Sequence, residues 1–324
     1  MRLLLPAWTS LGRRAHRGSS VDPGGSALSK ENLTNGYGFT TGAIRYVDLM
    51  YVVGTRRDLV RQRVPHSRLF SIDRGQWGAW NLDWLACSMT ITKDTDRLLV
   101  LGVDGQVLRV GGGEYEQEIP IGTLRGPLRE IRAVPGGGVF AVGIARQVLQ
   151  RLGPGRWSRI DEPIRPEGDE VMSTNFESVD GFDSSEIYTV GWEGEIWWYD
   201  GRDWHSIDSP TNLALYKVRC GGDGVVYACG QAGTLLRGRH DRWEAIDHDV
   251  RQHDFWGLAW FKDKLFLSTT RFVYDLLDDE LARVHYGDDP PLTCYHLDAA
   301  AGLMMSVGAE DVVVFDGSNW STVE

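Results

Sequence analysis

Short apolar runs that end in glycine recur along the chain: Tyr51-Val52-Val53-Gly54, Leu99-Val100-Leu101-Gly102, Phe140-Ala141-Val142-Gly143, Tyr188-Thr189-Val190-Gly191, Tyr227-Ala228-Cys229-Gly230 and Met305-Ser306-Val307-Gly308. A degenerate copy stands at Phe266-Leu267-Ser268-Thr269. Taking the last residue of each run as an anchor gives 54, 102, 143, 191, 230, 269 and 308, so successive spacings are 48, 41, 48, 39, 39 and 39. Upstream of each anchor lies an alternating segment. Before Gly230, residues Ala214, Tyr216, Val218 and Cys220 share one face, and Lys217 and Arg219 the other. A period of two between turn residues is a strand pattern. Downstream come a turn, another apolar run and an aromatic residue. Trp157, Trp204, Trp243 and Trp320 follow their anchors by 14, 13, 13 and 12 residues, and Tyr115 follows Gly102 by 13.

Four short strands in a repeat of about 40 residues predict a propeller blade. One small twisted sheet cannot bury both of its faces, so the copies must stand around an axis. The expected fold is therefore all-β, a seven-bladed β-propeller of four-stranded antiparallel blades. The blades fall at about 41–82, 83–121, 126–161, 172–208, 213–247, 253–287 and 291–324. They make a single domain over 41–324, preceded by a basic arm and lead-in at 1–40. The anchor glycine serves a tight turn or a close backbone approach. The outer-strand tryptophan supplies apolar area against the next blade. In the first blade Gly54 and Trp77 are 23 residues apart, so Arg56–Ser67 reads as an extended hairpin loop. The sixth blade lacks both the Gly and the Trp. Asp275–Val284 is the one stretch suited to a short helix. Ring closure has two routes: face packing of the first blade on the last, or residues 21–40 added to a sheet edge.

The stretches Gly191-Trp192-Glu193-Gly194 and Gly230-Gln231-Ala232-Gly233 resemble those of bacterial propellers with WD-repeat, YVTN or BNR-type blades. So do the hairpins Tyr199-Asp200-Gly201-Arg202-Asp203-Trp204 and Phe315-Asp316-Gly317-Ser318-Asn319-Trp320, which are similar to a degenerate Asp-box of sialidase-type propellers. The likeness covers roughly 41–324. It implies the architecture and leaves the activity open, because propellers host unrelated functions.

Charge narrows the partners. The formal net charge is −11 and the pI about 5.2, which argues against general nucleic-acid binding, since that needs Lys and Arg to replace counterions along the phosphates. Residues 1–20 hold Arg2, Arg13, Arg14 and Arg17 and no acid, so residues 21–324 carry −15. That arm reads as an import signal or as a solvated tail. No apolar run reaches the ~20 residues of a membrane span. Cys87, Cys220, Cys229 and Cys294 form no C-x-x-C pair, so no zinc site is expected, and the reading is of free thiols in a reducing cytoplasm.

Chemistry is sparse. The Asp-Gly pairs are what tight hairpins need. Asp247-His248-Asp249 with His253-Asp254 has metal-ligand residue types but reads as an inter-blade loop. No catalytic residue, cofactor or metal is assigned. Loops after the second strand and loops joining blades share one face of a propeller. Here that face gathers Asp161, Glu162, Glu167, Asp169, Glu170, Trp192, Glu193, Asp247, Asp249, Asp254, Trp256, Asp288, Asp289, Glu310 and Asp311. Acids interspersed with aromatics would steer and hold a basic protein. The expected function is thus a non-enzymatic protein-binding module, cytoplasmic and monomeric, with use as an immunity or inhibitor protein for a toxin. The alternatives are a glycan hydrolase or lyase with a carboxylate-lined pocket open at the loop face, and a scaffold for assembling a larger complex.

Overall fold

The structure, a computed structural model, describes residues 30–287 and 290–323. The basic arm with its four arginines, and Asp288 and Asp289, lie outside the described residues. Seven four-stranded antiparallel sheets form the molecule, each a meander of consecutive strands. The innermost strands are Tyr37–Tyr46, Ala86–Ile91, Leu128–Ala133, Phe176–Asp183, Leu215–Cys220, Gly257–Phe261 and His296–Ala300. The segment Arg56–Ser67 is a hairpin connection, as its length predicted, and carries a short helix at Arg57–Arg61. Asp275–Val284 is not helical. It is divided between strands Val273–Leu277 and Glu280–Arg283, joined by Asp278 and Asp279 at positive φ, the conformation of a hairpin turn that matches sheet twist.

The core is distributed. Seven buried apolar clusters occur, one at each blade junction. The outer-strand tryptophans face the preceding blade and not the next. The pairing Trp204↔Tyr199↔Ile187 puts Trp204 on the same pleated side as Ile187. Both join the cluster shared with blade three, where the Trp204 indole donates to the Ile160 carbonyl at 2.8 Å. Trp243 and Trp320 join the clusters shared with blades four and six. The anchor glycines answer to close approach. Gly230 is extended (φ −175°), and an added Cβ would collide with the Ala214 carbonyl oxygen of the chain entering its own blade. Gly191 meets Asn175 in the same way.

Ring closure is face packing. Phe39, Ile44, Val52 and Phe70 of blade one bury against Met305, Val307 and Val312 of blade seven. The lead-in forms a short helix, Lys30–Thr34, and adds no strand. It lies across the junction, with Lys30 Nζ donating to the Val323 carbonyl at 2.5 Å and Arg68 to the Leu33 carbonyl at 3.0 Å.

Each innermost strand has one edge without a strand partner, turned to the axis. Buried N–H groups there need acceptors. Side chains from adjacent blades supply them. Thr90 accepts from Ala133 N at 3.0 Å, Glu130 from Val179 N at 2.9 Å, Ser178 from Val218 N at 3.1 Å, and Asp180 from Cys220 N at 3.0 Å. Asp298 accepts from Ile44 N at 2.9 Å, the same device across the closing junction. Lys217 and Arg219 stand on the face opposite Val218 and Cys220, as the alternation places them, and they belong to this polar wall. A bulge takes Tyr216 out of the alternation, and Arg219 is 4% exposed. Lys217 and Arg219 reach the buried Glu130 carboxylate at 2.9 and 3.2 Å. Burial alone would raise that carboxyl; the two cations and the Ser178 hydroxyl outweigh it and hold it well below the usual range. Arg132 bridges Asp180 (3.2 Å) and Asp298 (3.8 Å). His296, beside the Gly42 carbonyl at 3.0 Å, is pushed down to about 4, by burial first and then by Lys217 and Arg219 against the opposing Asp298.

Two outcomes follow from this packing. Gly230→Ala should cost roughly 2–3 kcal/mol in denaturant unfolding, as an overpacked site does, whereas Gly122→Ala, which meets nothing within 4 Å, should stay within about 0.5 kcal/mol. The folded value of His296 lies below its unfolded value of 6.5. The unfolded chain therefore binds more protons between about pH 6.5 and 4. Stability is fully present above that window and falls as pH drops through it, by about 3 kcal/mol. His296→Gln, which keeps a donor for Gly42, should flatten the slope measured by urea titration at stepped pH.

Candidate functional site

Loops after the second strands and loops between blades do share a face. Trp192 N donates to the Asn175 carbonyl, Ala232 N to Asp254 (2.8 Å), and Thr293 N and Oγ1 to Asp311 (2.8 and 2.7 Å). These bonds sort the acids named above. Asp161 is buried, bonded to Arg125 and to Val148 N, and holds the blade-three loop rather than facing solvent. Asp254 and Asp311 are half-buried and spent on turn amides. Glu162, Glu170, Asp247 and Glu310 are exposed but paired, with Arg125 and Arg159, Arg146, Arg251, and Arg57 respectively. Glu167, Asp169, Glu193 and Asp249 are exposed and make no ion pair among the described residues. His248 is a buried side chain whose Nδ1 accepts from Val250 N at 3.1 Å and whose ring lies 5.6 Å from Phe255. Among the described residues no group of three metal-ligating side chains converges.

The face is not uniformly acidic. The blade-one connection stands on it and carries Arg56, Arg57, Arg61 and Arg63 against Asp58 alone. Arg61 and Arg63 are exposed, as are Val60 and Val64. The unpaired acids belong to blades three to six and their connections, so the face is polar across the ring.

At its centre the inner strands begin. In blades one to five the first turn of each strand carries an extra, bulged residue: Thr40, Cys87, Arg129, Glu177 and Tyr216. A bulge re-aims a side chain. Trp256 and Tyr295 occupy the corresponding place, just ahead of the inner strands of blades six and seven. Together these seven residues ring the axial mouth. Arg129 and Glu177 are 3.7 Å apart. Glu177 Oε1 accepts from the Trp192 indole at 2.8 Å and from the Asn175 amide at 2.5 Å. Tyr216 and Trp256 stack with ring centres 4.3 Å apart and planes 1° from parallel, and Tyr295 continues the row at 5.4 Å and 30°. Only Trp256 of this ring was named from the sequence as a binding residue. A signal was present: the seven residues fall 13 to 15 positions before their anchors. It is invisible to a search for repeated residue types, because the column is of mixed chemistry.

At the opposite end of the axis lies a cavity of about 690 Å³ lined from all seven blades, including Arg45, Arg132, Asp180, Arg219 and Asp298. Its carboxylates are engaged by Arg132 and by backbone amides.

No family model matches the chain. Among solved structures it is similar to the WD40 β-propeller domain of Doa1 (TM-score 0.67, 11% identity, 88% of this chain and 93% of that one). It is also similar to streptogramin B lyase (TM-score 0.66, 10% identity, 89% and 93%). At such identities the likeness speaks for the fold. Among the described residues no helix is long and apolar enough to cross a membrane. Among curated proteins it is 40% identical over 295 residues to the immune protein Tsi7 of Pseudomonas aeruginosa, an alignment covering 88% of this chain and 96% of that protein. The seven junctions, the bulged inner strands and the loop face thus belong to a member of the immune protein Tsi7 family.

Proposed function

We propose that this chain is a bacterial immunity protein that silences a toxin by binding it, without chemistry of its own, through the loop face. The observation that carries the reading is the 40% identity sustained across 96% of an immune protein. Charge supports the choice of face. Glu167, Asp169, Glu193 and Asp249 are exposed and without ion partners among the described residues, and the chain as a whole carries −11. A basic toxin surface would be drawn to blades three to six by this field, which acts first on the association rate. The arginine-bearing arm of blade one would meet a less basic part of the same partner and fix its orientation. Four free thiols fit action in the reducing cytoplasm.

The test is coexpression with the product of the gene adjacent to its own. Wild type should restore growth and co-purify with that product in a defined complex. Reversing Asp169, Glu170 and Asp249 to Lys should weaken binding about tenfold or more, mainly through slower association, with the effect shrinking at high salt. Association and growth rescue left unchanged by the triple reversal would remove the acidic face from the account.

A further inference from the structure

We infer that the axial mouth of the loop face is the anchor point for the toxin, and that it receives an arginine side chain of the partner between the Tyr216–Trp256–Tyr295 row and the Glu177 carboxylate. The inference rests on the immunity reading and locates its binding energy. Three properties of the mouth carry it.

The aromatic row is pre-organised. Tyr216 and Trp256 are in parallel contact, and Tyr295 extends them while remaining 37% exposed. Large rings, half-buried at Tyr216 and Trp256 and exposed at Tyr295, held in place on the ends of packed strands give contact area at little entropic cost, the character of interface hot spots. The heads of the inner strands of blades five, six and seven all present aromatics here. The equivalent positions in the first two blades are Thr40 and Cys87.

The carboxylate is built and half-used. Glu177 is fixed through Oε1 by the Trp192 indole and the Asn175 amide, while Oε2 accepts no hydrogen bond among the described residues. Arg129 stands at 3.7 Å, outside hydrogen-bond distance. An acceptor fixed in this way, at the ring position next to that of Tyr216, suits a planar cation. A guanidinium can donate to an oxygen while stacking on a ring, which an ammonium cannot do as well.

The surrounding charge has the right sign. Glu193 lies next to Trp192 and is exposed without an ion partner among the described residues, and Asp254 flanks Trp256 through its bond to Ala232. The exposed arginines Arg61 and Arg63 lie on the blade-one arm, next to blade seven and three blades from Glu177.

The experiment measures affinity for the adjacent gene product by titration calorimetry, with wild type, Trp256→Ala, Tyr295→Ala, Glu177→Gln and the conservative Trp256→Phe. Thermal midpoints and near-ultraviolet dichroism check that each variant is folded. The alanine variants should bind about 30-fold more weakly or worse, Glu177→Gln about tenfold, and Trp256→Phe close to wild type. The guest is read separately on the free protein, by following the Trp256 indole N–H in NMR titrations with acetyl-arginine amide and acetyl-norleucine amide. A shift with the arginine probe that is lost in Glu177→Gln is expected. Folded alanine variants that bind as wild type does would overturn the anchor while leaving the immunity reading standing. Weak alanine variants with an equal response to both probes would overturn the arginine guest. A wild type that neither rescues growth nor binds would overturn the immunity reading and this inference with it.

Discussion

Every blade of a propeller has an innermost strand with one edge unpaired by any strand. In this molecule that strand sits at the axis, where its free edge cannot be left bare because it is largely shut away from water. The structure meets the requirement with side chains lent by the neighbouring blade: Thr90, Glu130, Ser178, Asp180 and Asp298 each accept a backbone N–H across a junction. Two of these acceptors, Glu130 and Asp180, are acids buried in the wall and therefore need cations, which Lys217, Arg219 and Arg132 provide. The apolar clusters between blades supply most of the burial. The polar wall sets the register of one blade on the next, since a buried acceptor is satisfied at one offset and orphaned at others. Closure is then no special event. Asp298 treats Ile44 as Glu130 treats Val179, and no strand has to cross from one end of the chain to the other.

How much of this was legible beforehand depended on whether a feature repeats in residue type or only in place. The apolar runs and their glycines recur as letters, so the blade number and the four-strand unit could be read directly. The direction in which Trp204 packs could not, because it depends on which side of the pleat the register puts it. Tyr216 was misplaced on the face of Val218 and Cys220 for a related reason. Strict alternation was carried through Tyr216, where the strand holds an extra residue. Asp275–Val284 was the one stretch read as suited to a short helix, and the paired positive-φ aspartates decided otherwise. On the loop face, acids were counted without knowing their partners. Asp161 proved to be internal scaffolding, while Glu177, Tyr216 and Tyr295 were passed over because their column mixes an acid with aromatics.

The bulges connect these two themes. The same insertions that disturb alternation at the head of the inner strands aim a ring of side chains into the mouth. A protein held rigid by its wall can present that ring without reordering. The rim adds a second layer of information through its uneven charge, acidic over blades three to six and basic along the blade-one arm.

The wall is open to one direct measurement. Hydrogen exchange resolved at single amides reports whether the free edges of the inner strands are held as firmly as the rest of each sheet. The amides of Ile44, Ala133, Val179, Val218 and Cys220 should be protected to the level of global unfolding, matching strand-paired amides such as that of Val100. Exchange of those five at the rate of exposed turn amides, with the sheets otherwise protected, would contradict a ring registered and closed by its inner polar wall.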